Sequence, residues 1–283
     1  MRKIRYFSPP IILTYVGLLF LTVVTGFPVV YSVFGSFKPN REFVLGGARI
    51  LPMEWRLANY VEAWELANFA QYTWNSLYVA IPTVIFSLFF VSMAGYVFSR
   101  FQFPGRKIML VTLLATMFLA TGTVTLYPIF RVARFLGIHQ SLWGIIVVYI
   151  FSTNAAFIYL IMGYLGGISM EMDQAATIDG CSKFGIYWRI ILPLAKPILA
   201  TLGLLAFRAA WNDYMLPLVF TMARPAMRTL TVGVIALRDT RDGAAAWNLM
   251  LAGTTISLIP IIVIYLITNK YFIRGITAGS VKE

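Results

Sequence analysis

The amino-acid sequence predicts an all-α, polytopic membrane protein with six transmembrane helices and one short helix outside the bilayer. Only 12% of its 283 residues are charged and 59% are hydrophobic, whereas soluble domains carry about 25% charged residues. Four charge-free stretches are each longer than the roughly 20 residues that a helix needs to cross a bilayer, which excludes a soluble enzyme with a large apolar core. They lie between Arg5 and Lys38, Glu65 and Arg100, Lys107 and Arg131, and Asp242 and Lys270.

The apolar stretches give the order of the spans. We predict spans at residues 11–34, 74–99, 108–130, 142–165, 197–218 and 247–269 of one transmembrane domain that covers residues 1–283. The basic segment before the first span resembles the start of a signal peptide. The apolar run behind it exceeds the about 7–15 residues of a signal peptide and no convincing cleavage site follows, so this span is expected to be retained.

Basic residues set the expected orientation. They precede the first span, fill the connection between the second and third spans, and follow the sixth: Arg2, Lys3, Arg5, Arg100, Arg106, Lys107, Lys270, Arg274 and Lys282. Because short cytoplasmic loops are enriched in Lys and Arg, both termini are expected in the cytoplasm. The bias is incomplete, since the opposite loops also carry arginines: Arg131, Arg134, Arg224, Arg228, Arg238 and Arg241.

Residue types needed for catalysis or metal binding are scarce. The chain has one cysteine, Cys181, and one histidine, His139, so it offers neither a disulfide framework nor a histidine-based nucleophile pair. The surroundings of His139 favour a loop residue over a metal ligand. No G-x-x-x-x-G-K-[ST] sequence is present, so no Walker-type ATP site is expected. The chain is therefore not expected to be an enzyme or to hold a metal or cofactor.

One segment between the fourth and fifth spans, residues 170–193, carries too many charges to cross lipid. Residues 171–178 predict a short helix, in which the small side chains of Ala175 and Ala176 let another protein approach the backbone closely. Gly180 allows a turn at low steric cost, and Pro193 is expected to end a second helical piece before the fifth span. The alternative is an amphipathic helix at the membrane surface.

This segment resembles the cytoplasmic coupling motif E-A-A-x3-G-x9-I-x-L-P of permease subunits in binding-protein-dependent importers of the ATP-binding-cassette (ABC) class. Six fixed positions match, at a chance frequency on the order of 10⁻⁷ per start position: Ala175, Ala176, Gly180, Ile190, Leu192 and Pro193. Gln174 replaces the glutamate of the motif, and Asp173 or Glu171 is expected to supply the missing charge. The resemblance implies a coupling helix that docks on an ATPase through Glu171, Asp173, Gln174, Ala175, Ala176, Asp179, Gly180 and Pro193.

Shorter motifs resemble the smaller permease of maltose-type carbohydrate importers along nearly the whole chain. They are Asn75-Ser-Leu, Ala94-Gly-Tyr, Arg100-Phe, Phe103-Pro-Gly-Arg106, Pro128 with Leu136-Gly-Ile, Trp211-Asn-Asp213, Pro217-Leu and the glycine-punctuated tail. The resemblance implies a bacterial or archaeal inner membrane, a larger partner permease, two ATPase subunits that bind ATP and Mg²⁺, and an extracytoplasmic solute-binding protein. It also implies an extended tail, residues 270–283, that contacts the ATPases through Gly275, Thr277, Gly279 and Lys282.

Polar residues inside the predicted spans are candidates for the solute pathway, because the bilayer makes them costly. Arg208 lies about 18 Å beyond Lys196, near the midplane. Asn212 shares its helix face and Asp213 does not, so Arg208 is expected to face the pathway or the partner permease. The alternatives are a bent helix that pairs Arg208 with Asp213, or snorkelling to the nearer surface. Hydrogen bonding between helices is an equally good explanation for the remaining candidates: Ser152, Thr153 and Asn154.

The sequence thus predicts a permease subunit of an ATP-driven importer for sugars or oligosaccharides. It would form half of the translocation pathway and couple to the ATPases through residues 171–193. Anionic cargo, either uronate oligosaccharides or glycerophosphate-type solutes, is the alternative. A secondary transporter is less favoured because no internal repeat is evident, and a membrane enzyme because acid–base groups are missing. The net charge of +12 is attributed mostly to membrane topology, and no nucleic-acid partner is expected.

Overall fold

The computed structural model describes residues 9–45, 49–118, 122–152, 155–239 and 245–280, and every regular element in these residues is a helix. The all-α class predicted from the sequence is confirmed. The α-helices are α1 Pro9–Gly35, α2 Asn40–Leu45, α3 Ala58–Leu66, α4 Phe69–Arg100, α5 Arg106–Ala115, α6 Leu126–Phe135, α7 Leu142–Phe151, α8 Ala155–Gly166, α9 Glu171–Ile178, α10 Lys183–Ile186, α11 Leu192–Leu194, α12 Lys196–Asn212, α13 Met215–Thr221, α14 Leu230–Ala236 and α15 Trp247–Ser280. A π-helical turn, Tyr187–Ile191, joins α10 to α11.

Three helices, α1, α4 and α15, are long and apolar enough to cross a membrane. They contain the predicted spans at residues 11–34, 74–99 and 247–269. Their apolar parts measure 23, 32 and 22 residues, which meets the roughly 20-residue requirement of a bilayer core. The predicted first, second and sixth spans therefore each fall within a single helix.

The predicted third span, residues 108–130, is not one helix, and this corrects the sequence-based boundary. Helix α5 ends at Ala115, and 3-10 turns follow at Thr116–Phe118 and Gly122–Thr125 before α6 begins. Gly122 has a φ of +50°, a left-handed conformation that a right-handed helix cannot contain. The apolar composition predicted the span, whereas the glycine interrupts its backbone.

The predicted fourth and fifth spans are each divided. Helices α7 and α8 lie on either side of residues 152–154 in the predicted fourth span, residues 142–165, and they are bent by 50° relative to one another. The fifth span, residues 197–218, is split into α12 and α13 because Asp213 has an extended backbone. Two bent pairs could each count as one span, namely α7 with α8 and residues 183–194 with α12. This gives at most five candidate spans among the described residues. The count of six stays a prediction.

The first of two compact units comprises Met1–Phe69 and Gly233–Leu258. At its centre, the buried amide of Asn59 donates to the carbonyl oxygen of Lys38 at 2.9 Å and accepts from the Asn248 amide at 2.9 Å. These bonds tie the segment after α1 to the start of α15. Most of the apolar part of α1, by contrast, is exposed within the described chain, as expected for a helix that faces lipid or another subunit.

The second unit comprises Ala70–Val232 and Ile259–Glu283 and contains the charged segment. One of its core clusters packs buried side chains of α4, α8 and α12 against those of the segment itself. Helices α4 and α8 approach each other closely at Gly95 of α4, where an added Cβ would lie 2.5 Å from Cγ2 of Ile161 on α8. Small residues at such contacts are typical of helix packing in membranes.

Candidate functional site

The charged segment between α8 and α12 folds locally as the sequence predicts. Helix α9 covers Glu171–Ile178, with Glu171 and Asp173 in its first turn, where acidic side chains interact favourably with the helix dipole. Gly180 follows with a φ of +81°. The N–H of Gly180 donates to the carbonyl of Thr177 at 3.1 Å and that of Cys181 to Ala176 at 2.9 Å. This is a Schellman ending, and the predicted turn at Gly180 is confirmed.

The second helical piece ends later than predicted. Ser182 caps α10 by accepting the Gly185 N–H at 3.1 Å, and the π-helical turn then leads into α11. Pro193 lies in the first turn of α11, where a helix does not need the missing N–H, so the helix continues to Leu194. The chain then changes direction by 77° at Ala195 and enters α12. We call residues 171–194 the docking segment.

The two alanines of the motif face different ways, which corrects the expectation that both form an exposed surface. Ala176 is only 6% exposed and packs in the core of the second unit. Ala175 is exposed, as are Glu171, Gln174 and Asp179. The small side chain of Ala176 therefore serves the packing of α9 within this chain, and Ala175 is the one left for a partner.

Asp173 also faces inward. Its Oδ2 lies 2.8 Å from Nε of Arg100, the last residue of α4, and the two side chains are 16% and 5% exposed. Arg100 additionally donates from Nη2 to the carbonyl of Ile168 at 3.0 Å. Asp173 is therefore occupied within its own chain, which contradicts the expectation that it replaces the motif's glutamate for an ATPase. Glu171 remains exposed in the same turn.

Further polar contacts connect α4 to the docking segment, and sequence reasoning missed them. The Tyr96 hydroxyl donates to the carbonyl of Lys183 at 3.2 Å, and the Ser92 and Tyr187 hydroxyls are 2.8 Å apart. Ser92, Tyr96 and Arg100 recur every four residues, so they lie on one face of α4. We call these three residues the α4 stripe. Their spacing of four residues was the one sign of this shared face in the sequence, and such a spacing inside an apolar span does not by itself indicate a contact.

The outer side of the docking segment, by which we mean its exposed surface, contains a cavity. A cavity of about 580 Å³ is lined by Asp179, Gly180, Cys181, Ser182, Phe184, Gly185, Trp188 and Arg189. Phe184 and Trp188 in this lining are 57% and 52% exposed, and Ile178 at the end of α9 is 86% exposed. Exposed apolar side chains grouped beside a polar hollow are typical of a protein interaction surface. The sequence motif did not identify these three residues.

The pathway candidates on α12 and α13 separate into two groups. Arg208 and Asn212 are both exposed on α12, four residues apart as predicted for one face. Among the described residues, no hydrogen bond or ion pair involves the Arg208 side chain. Asp213 instead accepts from the Tyr149 hydroxyl at 2.7 Å and from the Met215 N–H at 2.9 Å. The alternative pairing of Arg208 with Asp213 is therefore not observed.

The remaining candidates are placed only in part. Ser152 is exposed at the end of α7, and Thr153, Asn154 and Lys282 lie outside the described residues. Gly275, Thr277 and Gly279 have helical backbone because α15 continues to Ser280, so the expected extended tail is not observed up to that residue. A long apolar helix propagates through two glycines because elongation adds one hydrogen bond for each residue fixed. His139 lies in the turn between α6 and α7, as expected for a loop residue.

Long apolar helices joined by an exposed, charged docking segment define a membrane-embedded permease. The family described as binding-protein-dependent transport system inner membrane component matches residues 67–278. The chain belongs to this family, whose members are the membrane permease subunits of ABC importers and leave ATP hydrolysis to a separate subunit.

Curated relatives match over nearly the full length. The probable ABC transporter permease protein YurM of Bacillus subtilis is 35% identical over 268 residues, which covers 95% of this chain and 87% of YurM. The trehalose/maltose transport system permease protein MalG of Thermococcus litoralis is 30% identical over 273 residues, 96% of each chain. The resemblance to maltose-type permeases is confirmed.

A solved structure has the same fold. It is the crystal structure of a bacterial ABC transporter involved in the import of the acidic polysaccharide alginate. One chain of it matches with a TM-score of 0.78 and 25% sequence identity, covering 94% of this chain and 99% of its own length. The divided helices of this chain are therefore compatible with a permease architecture.

Proposed function

We propose that this chain is a permease subunit of an ATP-driven importer for sugars or oligosaccharides and forms half of the translocation pathway. The observation that carries the proposal is the outer side of the docking segment. There the turn at Gly180 and the exposed Phe184 and Trp188 surround a cavity of about 580 Å³. A cavity of this size accepts side chains of a docked ATPase, and its aromatic rim supplies area that becomes buried on binding.

The proposed assembly contains this chain, a larger permease, two ATPase subunits that bind ATP and Mg²⁺, and an extracytoplasmic solute-binding protein. It resides in a bacterial or archaeal inner membrane with both termini of this chain in the cytoplasm, as the basic residues at both ends favour. Closure of the ATPases displaces the docking segment. Because the segment continues into α12 at Ala195, the displacement reaches the helix that carries Arg208 and opens or closes the pathway.

The cargo class is proposed from relatives and from one side chain. The printed name of MalG refers to trehalose and maltose, which supports a carbohydrate. An acidic saccharide is the second candidate because the exposed Arg208 has no counter-charge among the described residues and because the matching solved transporter imports alginate. An arginine guanidinium binds a carboxylate through paired, charge-assisted hydrogen bonds.

The test is transport by the reconstituted complex. The chain is purified with its partner permease and ATPases, placed in proteoliposomes with the binding protein, and supplied with radiolabelled neutral or uronate oligosaccharides. We expect accumulation that requires ATP and stops when the ATPase cannot hydrolyse it. Uptake driven by an ion gradient without ATP, or a chain that purifies without any ATPase, would contradict the proposal.

A further inference from the structure

The α4 stripe contacts a different part of the docking segment at each of its three positions. Arg100 reaches Asp173 in α9, Tyr96 reaches the carbonyl of Lys183 in α10, and Ser92 reaches the hydroxyl of Tyr187 in the π-helical turn. These contacts extend over the last nine residues of α4. The whole docking segment is therefore fixed along one face of one membrane helix.

The side chains that make these contacts are buried from solvent. Ser92 and Tyr96 are 3% and 5% exposed, and Tyr187 is 1% exposed. The Arg100 and Asp173 side chains are 5% and 16% exposed. A buried ion pair is weak evidence for stability, because removing two charges from water offsets much of their attraction. Apolar side chains at the same positions would hold α9 in place, but they would permit it to slide along α4. A charged pair, together with the hydrogen bond from Arg100 to the Ile168 carbonyl, favours one register.

The docking segment is connected to membrane helices in two ways. The chain itself joins it to α8 through residues 167–170 and to α12 at Ala195. The α4 stripe, more than 70 residues earlier in the chain, contacts it between these two connections. A displacement of the segment therefore reaches α4 as well as the helices that the chain joins to it. Without the stripe contacts, the same displacement acts on α4 only through apolar packing.

We propose that Arg100 and Asp173, with Tyr96 and Ser92, are positioning residues that transmit movement of the docking segment to α4. They act through α4 and not by contact with ATP or cargo. The inference rests on the proposed function, because it assigns a route for the coupling that the docking segment performs. It predicts that loss of the pair leaves ATP hydrolysis running while transport falls.

The first test measures solute transported per ATP hydrolysed by the reconstituted complex. Asp173→Asn and Arg100→Gln are expected to retain assembly and hydrolysis but to lower this ratio roughly tenfold, in line with the coupling energies of residues along such a route. Asp173→Glu, which keeps the charge, should restore part of the ratio. Glu65→Gln, at an exposed acid outside the docking segment, is the control and should leave the ratio unchanged. A wild-type ratio in Asp173→Asn, or a loss explained entirely by failed assembly, would overturn the inference.

The second test does not depend on transport, so it separates failure of this inference from failure of the proposed function. Spin labels are attached at Met172→Cys and Ile85→Cys, both exposed positions, in a chain that also carries Cys181→Ser. The distance distribution between α9 and α4 should be narrow in the assembled complex and should broaden when Asp173→Asn is added. Equal distributions with and without Asp173→Asn would overturn the proposal even if uptake changes, whereas the Glu65→Gln background should keep the narrow distribution.

Discussion

The Tyr149 hydroxyl donates a hydrogen bond of 2.7 Å to Oδ2 of Asp213, at the point where α12 gives way to α13. The other carboxylate oxygen accepts the Met215 N–H at 2.9 Å, and the Thr231 hydroxyl donates to the Trp211 carbonyl at 2.7 Å. Side chains therefore form hydrogen bonds with backbone polar groups on both sides of the break in the fifth span, as a broken membrane helix requires. Asp213 is bonded at the break itself, which leaves Arg208 without a counter-charge among the described residues.

Arg208→Met is expected to lower uptake of uronate oligosaccharides by about 10- to 100-fold, because a hydrogen bond to a charged group contributes about 1.5–3 kcal/mol. Uptake of neutral oligosaccharides should change little, and Arg208→Lys should retain part of the activity toward uronates. The measurement is initial uptake against cargo concentration in assembled complexes. Leu205→Met, on the same exposed face of α12, is the control. Unchanged uptake of both cargo classes would remove Arg208 from the pathway.

Ala175→Trp is expected to abolish co-purification of the ATPase while the chain still inserts into the membrane, because the bulky ring blocks close approach to exposed α9. Gly180→Pro should do the same, since proline fixes φ near −65° and Gly180 needs +81°. Ala226→Trp, at an exposed alanine outside the docking segment, is the control for insertion. Normal ATPase recovery with Ala175→Trp would argue against docking through this face. Ala176→Trp would not test docking, because its side chain is buried.

Deletion of residues 275–283 is expected to reduce stimulated ATP hydrolysis without preventing assembly, because the tail would contact the ATPases. The paired variant Gly275→Ala with Gly279→Ala distinguishes the form of the tail. Alanine stabilises a helix by about 1 kcal/mol per glycine replaced, so a helical tail should keep normal hydrolysis and an extended tail should lose it. Full stimulated hydrolysis by the deleted chain would show that the tail is dispensable.

Gly144→Ala is expected to destabilise the second unit by about 1–3 kcal/mol, the usual cost of overpacking. A Cβ at this position would collide with the Ile138 carbonyl oxygen and lie 2.9 Å from Cε1 of Phe220. Gly163→Ala on α8 is the matched control, because nothing lies within 4 Å of its added Cβ. The measurement is the thermal midpoint of the detergent-purified complex. Equal midpoints for the two variants would contradict the packing at Gly144.

The local features of the docking segment were predictable because their causes are local. Charged residues excluded a lipid-facing helix, and the glycine at position 180 allowed the left-handed turn that the structure contains. Helix α9 accordingly has the predicted bounds. The spans of α1, α4 and α15 were predictable for the same reason, since apolar length is a property of one continuous stretch.

The side chains that face inward could not be predicted, because their partners are distant in sequence. Asp173 and Glu171 are equivalent on local grounds, and only the contact with Arg100 distinguishes them. The sequence analysis interpreted Arg100 as a basic residue that sets the membrane orientation. Asp173 was therefore expected to contact an ATPase. The breaks at Gly122 and Asp213 were missed for another reason. Hydropathy averages over a window and does not respond to a single residue that changes the backbone.

The bend at Ala195 has an energetic consequence for how the chain adjusts to the bilayer. Because the two arms meet at 77°, a push along the docking segment acts almost entirely across the axis of α12. Such a push tilts α12 and hardly slides it along the membrane normal. Tilting is the ordinary response of a helix to hydrophobic mismatch and costs only fractions of a kcal/mol per Å. Sliding would instead move Arg208 along the membrane normal, away from the depth at which we propose that it meets the cargo.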